Sequence, residues 1–129
     1  MNSLEIQVLD APEDSQNFFK DRPELQFFKF FSRNAPRSYL VALKENKIVG
    51  IICYNESSSI DPSCYGIGYV EVIEKNQGVA SRLCQVFFDK AKSNNKGIRT
   101  GSFEPEGRLF LKKVLKRLSI EKNVRLLEF

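Results

Sequence analysis

Leu4, Ile6 and Val8 alternate with polar neighbours, the two-residue period of a half-buried strand. Two segments then open on proline, Pro12 to Lys20 and Pro23 to Arg33, and proline suits the first turn of a helix. Leu25, Phe28 and Phe31 would line one face of the second helix. Tyr39 to Lys44 and Lys47 to Tyr54 are β-rich runs separated by Glu45-Asn46, which predicts a hairpin. After polar Asn55 to Asp61, alternation resumes from Tyr65 to Ile73. It predicts Tyr65, Ile67, Tyr69 and Glu71 on one face, with Gly66, Gly68, Val70 and Val72 on the other.

Beyond Gly78 the period becomes helical. Ala80, Leu83, Cys84, Phe87, Phe88 and Ala91 form one apolar stripe, and the helix should end near Asn94-Asn95. Ile98 to Phe103 reads as a strand. A second amphipathic helix starts near Glu106, with Leu111, Val114, Leu115 and Leu118 inward and Lys112, Lys113, Lys116 and Arg117 outward. Val124 to Phe129 is a last short strand. The order β-α-α-β-β-β-α-β-α-β predicts an α+β fold, a mixed and mostly antiparallel sheet flanked by helices. Its strand–helix–strand unit from 65 to 103 would be a parallel, right-handed crossover. With no internal repeat or linker, residues 1–129 are expected to form a single domain.

Composition narrows the chemistry. The chain has no histidine, which excludes a Ser-His-Asp or Cys-His triad, an imidazole shuttle and any His-containing metal site. Cys53, Cys64 and Cys84 are odd in number and widely spaced, which fits neither a disulfide framework nor a closed zinc site. No metal is expected. The acidic start, lacking the apolar run of a signal peptide, and the cysteine usage together point to a cytoplasmic location. Charge is uneven: residues 1–74 carry seven Lys/Arg against eleven Asp/Glu, and residues 75–129 carry thirteen against five. A basic second half calls for an anionic partner or is a solvated surface. Nucleic acid is disfavoured, because no stacking aromatics interleave with the basic residues.

Between the last β-rich run and the helix stands Lys75-Asn76-Gln77-Gly78-Val79-Ala80. A glycine turn there points backbone N–H groups outward at a helix start, a seat for an anion, with Lys75 and Arg82 adding charge. The stretch Val70 to Leu83 resembles the acyl-CoA-binding motif of the GNAT N-acetyltransferase superfamily, Arg/Gln-x-x-Gly-x-Gly/Ala, with Lys75, Gly78 and Ala80 at its key positions. Lys75 departs from the favoured Arg or Gln.

The resemblance implies an acyl-CoA-dependent N-acyltransferase, with acetyl-CoA or another acyl-CoA as cosubstrate and a small-molecule or protein amine as acceptor. The pyrophosphate would sit on the turn Lys75 to Ala80, with Ser81 and Arg82 in the same helical turn. Pantetheine would run beside Val70 and Val72, where the fourth and fifth strands splay apart, and a Val70 or Glu71 amide would polarise the thioester. Glu71 is the candidate base for the amine. The family's tyrosine acid on the last helix is missing here, so Tyr65, Tyr69 or Tyr54 would replace it, or the thiolate would leave unassisted. A catalytically weak CoA-binding or regulatory domain is the alternative. Family members continue after the last helix into two strands, and Ser119 to Phe129 suffice for one. The acceptor pocket is therefore expected to be open, minimal or completed by a second subunit, a possible homodimer. Six of eleven phenylalanines fall between Phe18 and Phe31, as apolar core or as a substrate wall. Cys84 is expected to be a buried hydrophobe.

Overall fold

Glu45 and Asn46 both take left-handed backbone angles (φ 52° and 63°), the pair of positive values that a tight two-residue hairpin turn needs. They join β2 (Ser38–Lys44) to β3 (Lys47–Asn55) in a computed structural model that describes residues 4–10, 12–31, 37–56, 62–73, 78–101 and 105–128. The remaining strands are β1 (Leu4–Leu9), β4 (Cys64–Val72), β5 (Gly97–Thr100) and β6 (Leu126–Glu128). All six form one sheet in chain order, antiparallel from β1 to β4 and parallel from β4 to β6. The parallel steps are crossovers through α2 (Val79–Ser93) and α3 (Pro105–Lys122). This is the mixed, mostly antiparallel sheet that the apolar periodicity predicts.

Each face of the sheet has its own apolar layer. Leu83, Cys84, Phe87, Phe88 and Ala91 of α2 meet Leu111, Val114, Leu115 and Leu118 of α3 over Leu40, Ile52, Tyr54, Tyr65 and Ile98. On the opposite face Phe19 of α1 (Pro12–Phe19) packs with Leu25, Phe28, Tyr39, Val41, Ile51 and Cys53. Leu9 joins this second layer, which leaves Val8 43% exposed rather than inward with Leu4 and Ile6.

Two predicted features are corrected. The helix expected over Pro23 to Arg33 is not formed in its described part, residues 23–31: a 3-10 turn covers Pro23–Phe27, and Phe28 then takes extended angles (φ −91°, ψ 126°). The amides of Lys29 and Phe30 donate to the Glu71 carboxylate instead of to carbonyls one turn back, so the chain lies across the sheet. Leu25 and Phe28 still point inward, while Phe27 and Phe30 are exposed. The single alternation along β4 also fails. The β3–β4 register pairs Cys53 with Tyr69 and Tyr54 with Ile67, so Gly68 is an extra residue in a β-bulge. One extra residue reverses the parity. Tyr65 and Ile67 therefore share the α2 face with Val70 and Val72, whereas Tyr69 packs with the α1 layer.

A polar latch closes one end of the sheet. The Tyr54 hydroxyl donates to Asp10 (2.6 Å), and Lys90 of α2 pairs with the same carboxylate at 3.1 Å. Burial alone would raise the Asp10 pKa, but these two partners outweigh it and hold the group below its ordinary value.

The first turn of α2 rests directly on β3. A Cβ on Gly50 would stand 2.7 Å from Val79 Cγ1 and 2.9 Å from Leu83 Cδ1, so glycine is required by close approach. Gly50→Ala should therefore destabilise the fold by about 1–3 kcal/mol through overpacking, read from urea unfolding midpoints at unchanged m-value.

Candidate functional site

β4 is paired on both edges only at its start. Its ladder with β5 runs from Cys64–Gly97 to Ile67–Thr100 and stops, while its ladder with β3 continues to Gly50–Val72. Past Ile67, no described strand pairs with the β5-side edge of β4, and this unpaired edge along residues 68–72 is the wedge.

Backbone alternation says which groups face that wedge. Ile73 donates its N–H to the Val49 carbonyl at 3.0 Å, which marks residues 73, 71 and 69 as those that spend their backbone groups on β3. Val70 and Val72 turn theirs to the open edge, while their side chains pack under α2. Of the two amides expected to polarise a carbonyl, the geometry selects Val70 over Glu71.

α2 begins at Val79, and the residue before it, Gly78, has a left-handed backbone (φ 73°, ψ 7°). Arg82 makes the first helical bond, to the Gly78 carbonyl at 3.0 Å, so the N–H groups of Val79, Ala80 and Ser81 lie before the ladder begins. Among the described residues no side chain caps this terminus, and no acid stands in its first turn. A Cβ on Gly78 would meet nothing within 4 Å, so the space before the amides is open. Arg82 is exposed, with Nη1 3.5 Å from Gln85 Oε1. Lys75, Asn76 and Gln77 lie outside the described residues. The helix end is positive, uncapped and accessible, as an anion site requires.

The bulge separates the acid–base candidates. Tyr65 is 2% exposed, stacked edge-on to Tyr54 and tilted against Phe87, and its hydroxyl accepts from Asn94 Nδ2 at 2.8 Å. Tyr54 is committed to Asp10, which together with burial raises its pKa. Both belong to the α2 layer. Tyr69 lies on the opposite face in a row across three strands, Tyr39–Cys53–Tyr69. Its hydroxyl is buried with no partner among the described residues, and burial pushes its pKa above the ordinary phenol value. Such an unmet donor costs about 1–3 kcal/mol. Burial also raises the thiols, Cys53 upward and Cys84 to about 12, so neither is a nucleophile.

Glu71 is a clasp. Its carboxylate accepts from the Lys29 N–H at 2.5 Å and the Phe30 N–H at 2.9 Å. Phe30 then packs on Tyr69, with ring centroids 6.1 Å apart. On either side of the held amides, Pro23, Leu25, Gln26, Phe28 and Phe31 line a cleft of about 400 Å³. Most of the phenylalanine cluster is thus core, with Phe30 at the wall.

Pattern reasoning passed over Arg37. Its Nη1 lies 3.8 Å from Cys53 Sγ and 3.2 Å from where a Cβ on Gly68 would be, so the guanidinium rests on the bulge. No local pattern marks it, because the bulge that admits it is set by the β3–β4 register. On α3, Lys113, Lys116 and Arg117 are exposed and Lys112 is half-buried, with Arg117 3.8 Å from Glu121. Among the described residues no three His, Cys, Asp or Glu side chains gather as a metal site needs, and no helix is long and apolar enough to cross a membrane.

The family model of the acetyltransferase (GNAT) family matches residues 5–104. Among solved structures, the fold is similar to an aminoglycoside N-acetyltransferase, AAC(6')-Iy, in complex with CoA. The TM-score is 0.58 at 12% identity, with 92% of this chain and 88% of that chain covered. It is also similar to an aminoglycoside acetyltransferase from an uncultured soil metagenomic sample (TM-score 0.60, 19% identity, 88% and 87% covered). A ribosomal-protein-alanine N-acetyltransferase from Brucella melitensis biovar Abortus 2308 gives a TM-score of 0.59 at 16% identity, covering 86% and 89%. No curated protein matches the chain.

If Glu71 is the clasp on the wall, Glu71→Ala should speed hydrogen exchange at the Lys29 and Phe30 amides while α2 and the β2–β3 amides keep their protection. Unchanged exchange at those two amides would refute the clasp.

Proposed function

Because the chain belongs to the acetyltransferase (GNAT) family, we propose that it moves an acyl group, acetyl first, from CoA to a primary amine by direct attack on the thioester. The observation that carries this reading is the edge of β4 from Gly68 to Val72, which no described strand pairs on the β5 side, followed by the glycine-led start of α2.

Each part of that opening has a chemical use. The amides of Val79, Ala80 and Ser81 would hold the pyrophosphate, with Lys75, Asn76, Gln77 and Arg82 around it. Val72 would pair with the pantetheine amides through its free backbone groups. The Val70 N–H would donate to the thioester oxygen as negative charge gathers there in the tetrahedral state, worth about 3–4 kcal/mol in comparable oxyanion holes. The nucleophile must be neutral, and a free alkyl amine has a pKa near ~10.4. Glu71 would take its proton through water, on lone pairs that the Lys29 and Phe30 amides leave available. The new N–C bond then forms as the C–S bond breaks. The departing thiolate, with a pKa of roughly 8.5, leaves without a protein acid, since Tyr54 and Tyr65 are committed within the α2 layer. The structures of an aminoglycoside acetyltransferase with CoA and of a Brucella melitensis GNAT family acetyltransferase with acetyl-CoA support the choice of cosubstrate.

Acetyl-CoA should raise the melting temperature of the wild-type protein by mass action, and Gly78→Glu should abolish that rise by bulk and charge at the pyrophosphate seat. A retained rise in Gly78→Glu would move the seat elsewhere. Glu71→Gln should lower turnover most at low pH, where free amine is scarcest, with the acetyl-CoA shift kept. A pH-independent loss would leave Glu71 with the clasp alone.

A further inference from the structure

Arg37 is a cation without an assigned task. It is exposed, its described side-chain contact is a thiol, and no described carboxylate pairs with it. The nearest carboxylate on β4, Glu71, is taken up by two backbone amides. The chain between Glu24 and Glu45 carries Lys29, Arg33, Arg37 and Lys44 and no acid, although the first half is acidic as a whole. Of these, Arg37 is the one that stands at the bulge, with its guanidinium over Gly68. Beside the guanidinium, the Tyr69 hydroxyl is a second donor lacking an acceptor among the described residues.

Spacing relates this charge to the chemistry. Arg37 rests on Gly68, and the Val70 amide lies two residues further along β4, roughly 7 Å at strand rise. That distance holds one charge-assisted hydrogen bond and the amine-to-carboxylate span of an α- or β-amino acid. A guanidinium fork suits a planar carboxylate, and its charge repels a cationic group placed there. It also disfavours protonation of an amine held nearby, which helps keep the nucleophile neutral.

We propose that Arg37 selects the acceptor: the amine is borne by a small amino-carboxylic acid, whose carboxylate docks on the Arg37 guanidinium over Gly68. This rests on the acyltransfer reading above. It assigns a substrate class unlike the aminoglycosides, polycationic amines named for several of the similar structures.

The test uses the full chain with acetyl-CoA and reads thiol release for L-amino acids and β-alanine, for their carboxamides, and for spermidine. Acids should exceed their own amides by about 10- to 100-fold in kcat/KM, the worth of one hydrogen bond to a charged group. Arg37→Gln should bring that ratio near unity by losing the acid alone. Arg37→Lys should keep an intermediate ratio, since charge remains and the fork is lost. The acetyl-CoA melting shift should be unchanged in both variants. An absent shift in the wild-type protein would overturn the acyltransfer reading itself. With that shift present, amides or spermidine equal to the acids, no turnover of any acid, or an unaltered ratio in Arg37→Gln would overturn the present proposal alone.

Discussion

Backbone hydrogen bonding along β4 is the constraint from which the rest of the site follows. At Gly66 and Ile67 the strand has partners on both edges, and beyond Ile67 it has one among the described residues. A strand in mid-sheet cannot leave amides bare without cost, so the wedge persists where a ligand or water can serve them. The bulge at Gly68 falls at that point of divergence. It changes the twist of β4 just where β5 departs, and it sends Tyr69 and the Val70 amide in the directions that the site uses.

The two layers divide the labour. The α2 layer is the larger core, and it carries the anion seat as the exposed end of a buried helix. The α1 layer is aromatic, with Phe19 edge-on to Tyr39 at 5.0 Å, and the segment beside it is tethered to β4 where the Lys29 N–H donates to Glu71. A chain without histidine can run this reaction, because the reactive bond arrives with the cosubstrate. The protein contributes an amide, a carboxylate and position.

Much of this was legible from the chain. The Glu45-Asn46 turn, the α2 stripe and the parallel crossover follow from strong local patterns, and the start of α2 from a glycine at a strand-to-helix junction. The errors share a cause. Tyr-Gly-Ile-Gly-Tyr alternates perfectly on paper, so one inserted residue at Gly68 is invisible until β3 fixes the register. Residues 28–31 have helical spacing, yet a carboxylate 41 positions later takes the Phe30 amide. Contacts so distant in sequence leave no local periodicity. Arg37 was missed for the same reason, since its significance comes from Gly68 on another strand.

The clasp between Glu71 and the Phe28–Phe31 segment also bears on how such a protein can change over generations. α2 packs against β1 to β5 as well as α3, so its start cannot be altered without disturbing most of the interior. The wall, by contrast, is a short turn fastened to β4 by two hydrogen bonds to one side chain. Leu25 and Phe28 of this segment are core, but its outward positions, Phe27 and Phe30, can change at little cost to packing while the start of α2 stays as it is. Innovation and conservatism are thus assigned to opposite faces of one sheet.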